Sequence, residues 1–299
     1  MTNEYDVSIV LPTYNEEDAL PSVIEDIRKA LQNLSIKYEI LIIDDASSDK
    51  TVEIANKIAD RVIVRTKNGG AGAARKTGIA NAYGKIIVML DADGTYNAYD
   101  IPKMLELFPK YDQVNGARDT EKGTLKLIRI PAKWFIRKVA SILTETDIPD
   151  LNTGLKAFKR DKMLKFLWVI PNGFSCVTSM TLAFLCNGLA VTWVPTTYKT
   201  RIGKSKFHPI KDTYAYLLTV VRITMYFNPL NVFLPISIFI LILGFLKALY
   251  SYFYTVHMLQ QSDIIIVLTG LIVGMLGLLA DLIVALSKSQ VIDESFFKE

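Results

Sequence analysis

Cysteine and histidine are scarce in this chain of 299 residues, which has two of each. Cys176 and Cys186 are the one pair that could form a disulfide, so a disulfide framework is excluded, and we read both as small apolar packing residues. His208 and His257 are too far apart in sequence to predict a metal site. Any metal in this protein should therefore be held by oxygen ligands.

Other common signatures are also missing. The chain contains neither the GxxxxGK[ST] phosphate loop nor the GxGxxG dinucleotide fingerprint. Its 34 basic and 30 acidic residues leave a net charge of only +4, and no nucleic-acid-binding motif accompanies them, so we predict no nucleic-acid partner. Residues 1–6 are polar and acidic where a secretory signal would be basic and then apolar, and we expect no signal peptide.

What the chain has in excess is apolar sequence near its carboxyl end. Residues 232–256 and 264–286 are each long enough to cross about 30 Å of hydrocarbon as a helix, and we predict a transmembrane hairpin. Lys247 and Asp281 fall inside these spans at different depths, so a direct ion pair between them is not expected. Lys247 should instead extend towards the outer interface, and Asp281 towards the inner one.

Charge around the hairpin predicts its orientation. Only three of the 34 Lys and Arg residues follow residue 231, and the link 257–263 has none, which puts both termini and the catalytic region in the cytoplasm. We divide the chain into a catalytic domain (1–210), a juxtamembrane interfacial helix (211–230), the hairpin (231–287) and a tail (288–299). The hairpin also offers a surface for homo-oligomerisation.

The first hundred residues alternate between strands and helices. Apolar strands are predicted at 7–11, 38–43, 62–65 and 86–90, with helical patterns at about 17–34, at about 49–58 and from the glycine-rich stretch after residue 67 to about residue 82. This alternation predicts an α/β fold with a parallel sheet and helices on both faces. Ligands of such sheets bind at the carboxyl ends of the strands.

Polar side chains follow each predicted strand, and the rule just given collects them in one crevice. They are Tyr14, Asn15 and Glu16 after the first strand, Asp44 and Asp45 after the second, the turn Gly69–Gly72 after the third, and Asp91 and Asp93 after the fourth. On an extended segment residues i and i+2 point the same way, so Asp91 and Asp93 can bind one Mg²⁺ or Mn²⁺, which in turn can hold a diphosphate. The glycines either cap a helix or allow a ligand to approach closely.

The motifs VSIVLPTYNEE, IIDDASSDKT, NGGAGAARKTG, VMLDADGTY, DLNTGLKAFKRD and TRIGKSKF occur in this order. Together they resemble family 2 glycosyltransferases of the Rossmann-like GT-A fold, in particular dolichyl-phosphate mannose synthases and related polyprenyl-phosphate glycosyltransferases. The resemblance implies that Pro12, Tyr14 and Glu16 line the nucleotide pocket. It further implies that Asp45, with Asp44, contacts the base and that Asp91 and Asp93 serve the metal and diphosphate. Some relatives have a metal-binding Gln where this chain has Thr95.

The element Asp150-Leu-Asn-Thr-Gly154 resembles the family's Asp-x-x-Ser/Thr-Gly, which lies beside the transferring sugar and makes Asp150 an active-site residue. Taken alone, this element is typical of an N-capped turn that precedes residues 156–165. The resemblance places Arg118, Arg129 and Arg201 near the acceptor's phosphate. The remaining basic and polar candidates for acceptor binding are Lys133, Lys204 and Ser205. The alternative for the basic residues is attraction to anionic headgroups.

These parts predict a metal-dependent inverting glycosyltransferase. It would move a hexose from a UDP- or GDP-sugar to a polyprenyl phosphate, dolichyl or undecaprenyl, at the cytoplasmic membrane face. One alternative is transfer to a lipid or glycan hydroxyl, although the Gln-x-x-Arg-Trp element of processive synthases is absent. Another is a membrane-anchored nucleotide-sugar-binding protein without turnover.

Overall fold

The computed structural model describes residues 5–118, 137–142, 144–199, 209–255 and 258–296. The chain forms two compact units, Met1–Val220 and Val221–Glu299. Both cysteines are buried and neither forms a disulfide, as predicted.

A seven-stranded sheet forms the centre of the first unit. Its strands are β1 (Val7–Thr13), β2 (Tyr38–Asp44), β3 (Arg61–Val64), β4 (Ile86–Met89), β5 (Gln113–Arg118), β6 (Lys156–Lys159) and β7 (Val191–Thr196). The order is β3-β2-β1-β4-β6-β5-β7. The first four strands are parallel as predicted, but β6 is antiparallel to both β4 and β5. It runs this way because the chain enters β6 from the edge at which β4 ends.

Helices cover the sheet. In the first unit they are α1 (Leu20–Leu31), α2 (Thr51–Ile58), α3 (Ala71–Asn81), α4 (Ile101–Leu105), α5 (Arg160–Leu164) and α6 (Cys176–Leu185). The chain then continues as α7 (Pro209–Phe227), and the second unit contains α8 (Leu230–Tyr250) and α9 (Gln261–Phe296). Helix α1 begins at Leu20 and not near residue 17. The backbone N–H groups of Glu16 and Glu17 donate to side chains of the turn after β2, so the chain remains in a turn up to Leu20.

The core lies on both faces of the sheet, because the central strands are buried on both sides. Ile9 and Ile40 belong to one buried cluster, while Val10 and Leu41 belong to the other, each with no exposed surface. This explains why β1 and β2 read as nearly continuous apolar runs and not as alternating ones. A rigid two-sided core holds the carboxyl ends of β1, β2 and β4 at one edge.

The second unit contains the hairpin. Residues 230–254 and 261–286 are long and apolar enough to cross a membrane, in agreement with the spans predicted from the sequence. Glycines let α8 and α9 approach closely, since a Cβ on Gly274 would lie 2.8 Å from Ser237 Oγ. Helix α9 continues to Phe296, into the segment that we assigned to a tail. Large apolar side chains are exposed on both hairpin helices, such as Phe239 on α8 at 62% and Met275 on α9 at 68%.

At the turn of the hairpin, Lys247 pairs with a residue that the sequence did not single out. Its Nζ lies 2.5 Å from Asp263 Oδ1 and 2.7 Å from Ser262 Oγ. Asp263 is 1% exposed and also accepts a bond from the Gln260 backbone N–H. The Lys247 side chain thus points to the connection between the helices. Its ion pair with Asp263 stabilises the turn of the hairpin.

Candidate active site

The turns after β1 and β2 form one connected edge. The backbone N–H of Asn15 donates to Ser47 Oγ at 2.9 Å, and the Asn15 side chain accepts from the Ser48 N–H at 2.8 Å. Asn15 adopts a positive φ of 53°, which this residue type tolerates. Pro12, Tyr14 and Glu16 are half-buried along this edge. The structure therefore brings these sequence-predicted residues to one side of the sheet.

Asp44 is the last residue of β2 and Asp45 follows it at this edge of the sheet. Both carboxylates are buried. Asp44 accepts a hydrogen bond from the Ser47 N–H at 2.9 Å. Asp45 accepts from the N–H groups of Gly69 and Gly70, and its carboxylate pairs with Arg65. Asp45 thus organises the glycine-rich turn, a structural role that the sequence did not indicate. Its contact with a nucleotide base stays a prediction.

The glycines of this turn are required by the protein's own packing. Gly70 has φ +89° and precedes α3, and the Gly72 N–H donates to the Asn172 carbonyl at 2.8 Å. A Cβ on Gly72 would collide with the Pro171 carbonyl and would lie 2.9 Å from the Cys176 Cβ. Of the two alternatives that the sequence left open, helix capping is present, because Gly70 is the N-cap of α3. The close approach at Gly72 is to the loop before α6.

Asp91 and Asp93 do not lie on a strand. Strand β4 ends at Met89, and both residues belong to the following turn, so the alternation argument by which we oriented them is wrong. The Asp91 side chain is 36% exposed, whereas Asp93 is 4% exposed. Asp93 Oδ1 accepts from Thr95 N–H at 3.1 Å and from Thr95 Oγ1 at 2.6 Å. The turn, and not strand geometry, sets their directions.

A buried arginine that the sequence did not single out holds Asp91. Arg75 of α3 is 3% exposed, donates to Asp91 Oδ1, and lies 3.5 Å from Cys176 Sγ. Small residues around it let α3 pack against the sheet, so this arginine reaches the end of β4 from within the fold. In the sequence, an arginine within a Gly- and Ala-rich helix looks the same whether its side chain is buried or exposed to solvent. Arg75 therefore could not be identified as a buried residue before the structure was known.

Asp150 and Arg118 form a bidentate ion pair across the edge. Arg118 Nε lies 2.6 Å from Asp150 Oδ2 and its second guanidinium nitrogen 3.0 Å from Oδ1. Burial raises the pKa of Asp150, but the hydrogen bonds and charge of Arg118 and the Asn152 N–H outweigh it and leave the pKa below its usual value. The predicted turn is present, but residues 156–159 continue as strand β6 and not as a helix.

Gly154 lies beside the Asp91 carboxylate and belongs to the same short segment as Asp150. Its N–H donates to the hydroxyl of the buried Tyr96 at 2.6 Å. A Cβ at Gly154 would lie 2.5 Å from Asp91 Oδ2, so only glycine fits beside this carboxylate. The segment 150–154 thus carries Asp150 at one end and contacts Asp91 at the other. Tyr96 is a second residue of the site that the motif reading missed.

The donor set fits a divalent cation that is bound jointly with a diphosphate. Among the described residues no group of three His, Cys, Asp or Glu could hold a metal ion, so the predicted pair Asp91 and Asp93 would need further ligands from substrate or water. Mg²⁺ and Mn²⁺ prefer oxygen ligands and are commonly held by one or two carboxylates together with substrate phosphates and water. Thr95 is fully buried and donates to Asp93, which makes it an orienting residue for that carboxylate.

Most of the predicted acceptor-binding residues fall outside the described part of the chain. These are Arg129, Lys133, Arg201, Lys204 and Ser205. Arg118 is the predicted acceptor residue that the structure describes, and it lies at the end of β5 on the same edge as Asp150.

Comparison with known proteins agrees with this geometry. Residues 8–167 match the model of "Glycosyl transferase family 2", and residues 228–286 match "GtrB C-terminal hairpin". The glycosyltransferase AglJ of Haloferax volcanii is 31% identical over 296 residues, 95% of each chain. The dolichyl-phosphate hexose transferase of the same organism is 29% identical over 74% of this chain and 94% of its own.

Solved structures show the same fold. Glucosyl-3-phosphoglycerate synthase from Mycobacterium tuberculosis, in complex with Mn²⁺, uridine-diphosphate-glucose and phosphoglyceric acid, superposes with a TM-score of 0.58. The match covers 74% of this chain and 80% of that one, with 19% sequence identity.

Proposed function

This chain belongs to glycosyl transferase family 2, and we propose that it transfers a hexose from a nucleoside-diphosphate sugar to a polyprenyl phosphate. The relative named as a dolichyl-phosphate hexose transferase supports this acceptor class. The neighbour that contains Mn²⁺ and uridine-diphosphate-glucose supports a nucleotide sugar as donor and a divalent metal as cofactor.

The observation that carries the acceptor assignment is the Asp150–Arg118 pair. A sugar or lipid hydroxyl must lose a proton as it attacks, which requires a general base. Asp150 is a poor base, because Arg118 lowers its pKa and occupies both of its oxygens. A phosphate monoester is already ionised near pH 7 and needs a cation instead. Arg118, held in place by Asp150, supplies one.

The reaction then balances without a protein base. A phosphate oxygen of the acceptor forms the new bond to the anomeric carbon, while the bond from that carbon to the diphosphate breaks and its electrons leave with the nucleoside diphosphate. Attack opposite the leaving group inverts the anomeric configuration. A metal bound at Asp91 and Asp93 would stabilise charge on the leaving diphosphate. Arg75 and Gly154 fix Asp91, and Thr95 orients Asp93.

On the donor side, we propose that Pro12, Tyr14 and Glu16 line the nucleotide pocket. Asp45, with Asp44, would accept hydrogen bonds from base or ribose donors. The first two strand ends already hold these residues at one edge, which supports the assignment. Residues Arg129, Lys133, Arg201, Lys204 and Ser205 remain proposed acceptor contacts.

The test is product formation by the purified full-length protein. UDP- and GDP-hexoses are offered with polyprenyl phosphate or with the matching polyprenol, in Mn²⁺, Mg²⁺ or EDTA. We expect an acid-labile lipid-phosphate sugar from one donor, formed only with polyprenyl phosphate and metal. Asp91→Asn should abolish it, whereas Asp161→Asn, at an exposed aspartate, should not.

Other outcomes would contradict the proposal. Transfer to polyprenol, but not to its phosphate, would favour a hydroxyl acceptor. Donor binding without transfer to either lipid would favour a non-catalytic nucleotide-sugar-binding protein. The role of Asp150 is tested by Asp150→Asn, which should raise the KM for polyprenyl phosphate while leaving a measurable kcat. A large fall in kcat with an unchanged KM would instead indicate a base.

We further propose that the hairpin spans the membrane with both chain ends in the cytoplasm. Met258, at the hairpin's turn, is 71% exposed, and both native cysteines are buried, so background labelling is low. A membrane-impermeant maleimide should label Met258→Cys on intact cells, but should label Asn33→Cys, at an exposed site of the first unit, only after permeabilisation. The reverse pattern would invert the topology. Pairing of two copies through the hairpin stays a proposal that a mass measurement in nanodiscs tests.

A further inference from the structure

The segment 150–154 is held at both ends by side chains from other elements. At its start, the indole Nε1 of Trp193 donates to the backbone carbonyl of Asp150 at 2.9 Å. At its end, the hydroxyl of Tyr96 accepts a hydrogen bond from the Gly154 N–H at 2.6 Å. Trp193 belongs to β7, whereas Tyr96 belongs to the turn that follows β4. Two distant parts of the chain thus determine where this short segment lies.

The Trp193 contact bears on the acceptor side. Strand β7 pairs in parallel with β5, with Trp193 opposite Asn115, and β5 ends at Arg118. Arg118 holds the carboxylate of Asp150 in the bidentate pair, while Trp193 holds the carbonyl of the same residue. Neighbouring strands therefore hold both the side chain and the backbone of Asp150. Loss of the indole N–H would leave the ion pair without this backbone support.

The Tyr96 contact bears on the metal side. Tyr96 lies three residues after Asp93 and is 6% exposed. Its ring meets that of Tyr198 edge to face, with centroids 5.3 Å apart, and the two backbones form a bridge, so its hydroxyl is held in place. Gly154, which this hydroxyl binds, leaves no room for a Cβ, because that atom would lie 2.5 Å from Asp91 Oδ2. Any movement of Gly154 therefore changes the space available to the Asp91 carboxylate.

We propose that Trp193 and Tyr96 are positioning residues that act on opposite ends of the segment 150–154. The indole N–H of Trp193 keeps the bidentate ion pair in place for the acceptor's phosphate. The hydroxyl of Tyr96 keeps the last glycine of the segment against Asp91 and so fixes the direction of this carboxylate. This inference rests on the proposed function for the roles of Arg118 and Asp91. Because each side chain holds a different end, two substitutions separate their actions.

The experiment uses the full-length protein in nanodiscs, with two independent measurements. Calorimetry of whichever of UDP and GDP binds, titrated at several Mn²⁺ concentrations, reports the metal side without turnover. The KM for polyprenyl phosphate reports the acceptor side. Tyr96→Phe keeps the ring and loses the hydroxyl, and Trp193→Phe keeps an aromatic ring and loses the indole N–H. Tyr99→Phe and Trp168→Phe, at residues that are 48% and 68% exposed, are the matched controls.

The loss of one hydrogen bond is small beside the stability of a domain, so both variants should fold. Tyr96→Phe should raise the Mn²⁺ concentration for half-maximal nucleotide binding by about 3- to 10-fold. Trp193→Phe should raise the KM for polyprenyl phosphate by about 3- to 10-fold. In each variant the other quantity should stay within about twofold of the parent, because the two bonds hold different ends of the segment. The control variants should change neither quantity.

The inference is overturned if Tyr96→Phe leaves the Mn²⁺ dependence unchanged, or if Trp193→Phe leaves the acceptor KM unchanged. A merely structural role would lower Tm in both variants and change both quantities together, and that result would overturn it as well. If no polyprenyl phosphate is ever glycosylated, the proposed function fails. The calorimetric measurement on Tyr96→Phe then still decides whether this hydroxyl acts on the Asp91 side.

Discussion

A lysine whose amine contacts two neutral side chains is buried beneath the active site. Lys156 of β6 is 1% exposed, and its Nζ lies 3.0 Å from Asn115 Oδ1 and 2.6 Å from Thr181 Oγ1. Burial lowers the pKa of Lys156 from 10.5 to about 7, although the charge of Asp150 opposes this. We predict that this residue makes the stability of the first unit depend on pH.

The sign follows from proton binding. Between pH 7 and pH 10.5 the unfolded lysine binds a proton that the folded one releases, so stability rises with pH in this window. Both forms are protonated well below pH 7, and there the full cost of burying the charge applies. Integrating from pH 7 to pH 9 gives a gain in the free energy of unfolding of about 2 kcal/mol. For a unit of this size that is about 4–8 °C in Tm.

The assay compares thermal unfolding of the parent and Lys156→Met at pH 7 and pH 9 in the same detergent. We expect the Tm of the parent to rise by about 4–8 °C relative to that of the variant. Lys165→Met, at an exposed lysine, should follow the parent. Parallel pH profiles of the parent and Lys156→Met would refute the reasoning, because the lysine would then be charged in the folded state up to its ordinary pKa.

Three further predictions concern the site and the hairpin. Gly154→Ala should lower kcat/KM at least about tenfold because its Cβ would displace the Asp91 carboxylate, whereas Gly173→Ala, with open space around it, should not. Asp91→Asn should weaken Mn²⁺-dependent binding of the nucleoside diphosphate by at least about tenfold, measured by calorimetry. Lys247→Met should lower Tm by leaving Asp263 buried without its cation, and adding Asp263→Asn should recover part of the loss.

The sequence predicted the features that depend on local pattern. Apolar runs located β1, β2 and β4, and composition alone located the hairpin. The rule that parallel strands present their carboxyl ends at one edge then gathered Glu16, Asp45 and Asp91 correctly. That rule fixes the edge but not the direction of any side chain, so the orientation of Asp91 and Asp93 was argued from a strand that ends before them.

What could not be predicted are contacts between residues distant in sequence. Arg75 reaches Asp91 from another element, and Tyr198 contacts Tyr96 from more than a hundred residues away. Lys156 reads in the sequence as one basic residue among several, and only its place between β5 and α6 makes it a buried amine. Such roles depend on tertiary packing. The periodicity of polar and apolar residues in one sequence does not predict them.

The arrangement of charge explains why these distant residues matter. Asp91 and Asp150, two carboxylates that we propose for the active site, are each paired with a buried or nearly buried arginine. A buried charge without a partner costs several kcal/mol, so the buried Arg75 and the mostly buried Asp150 each depend on the partner that the fold provides. In the reaction that we propose, a metal would bind Asp91 beside Arg75, and an anionic phosphate would bind Arg118 beside Asp150. Each buried charge would then keep the partner that the fold provides while the site accommodates a diphosphate and a phosphate.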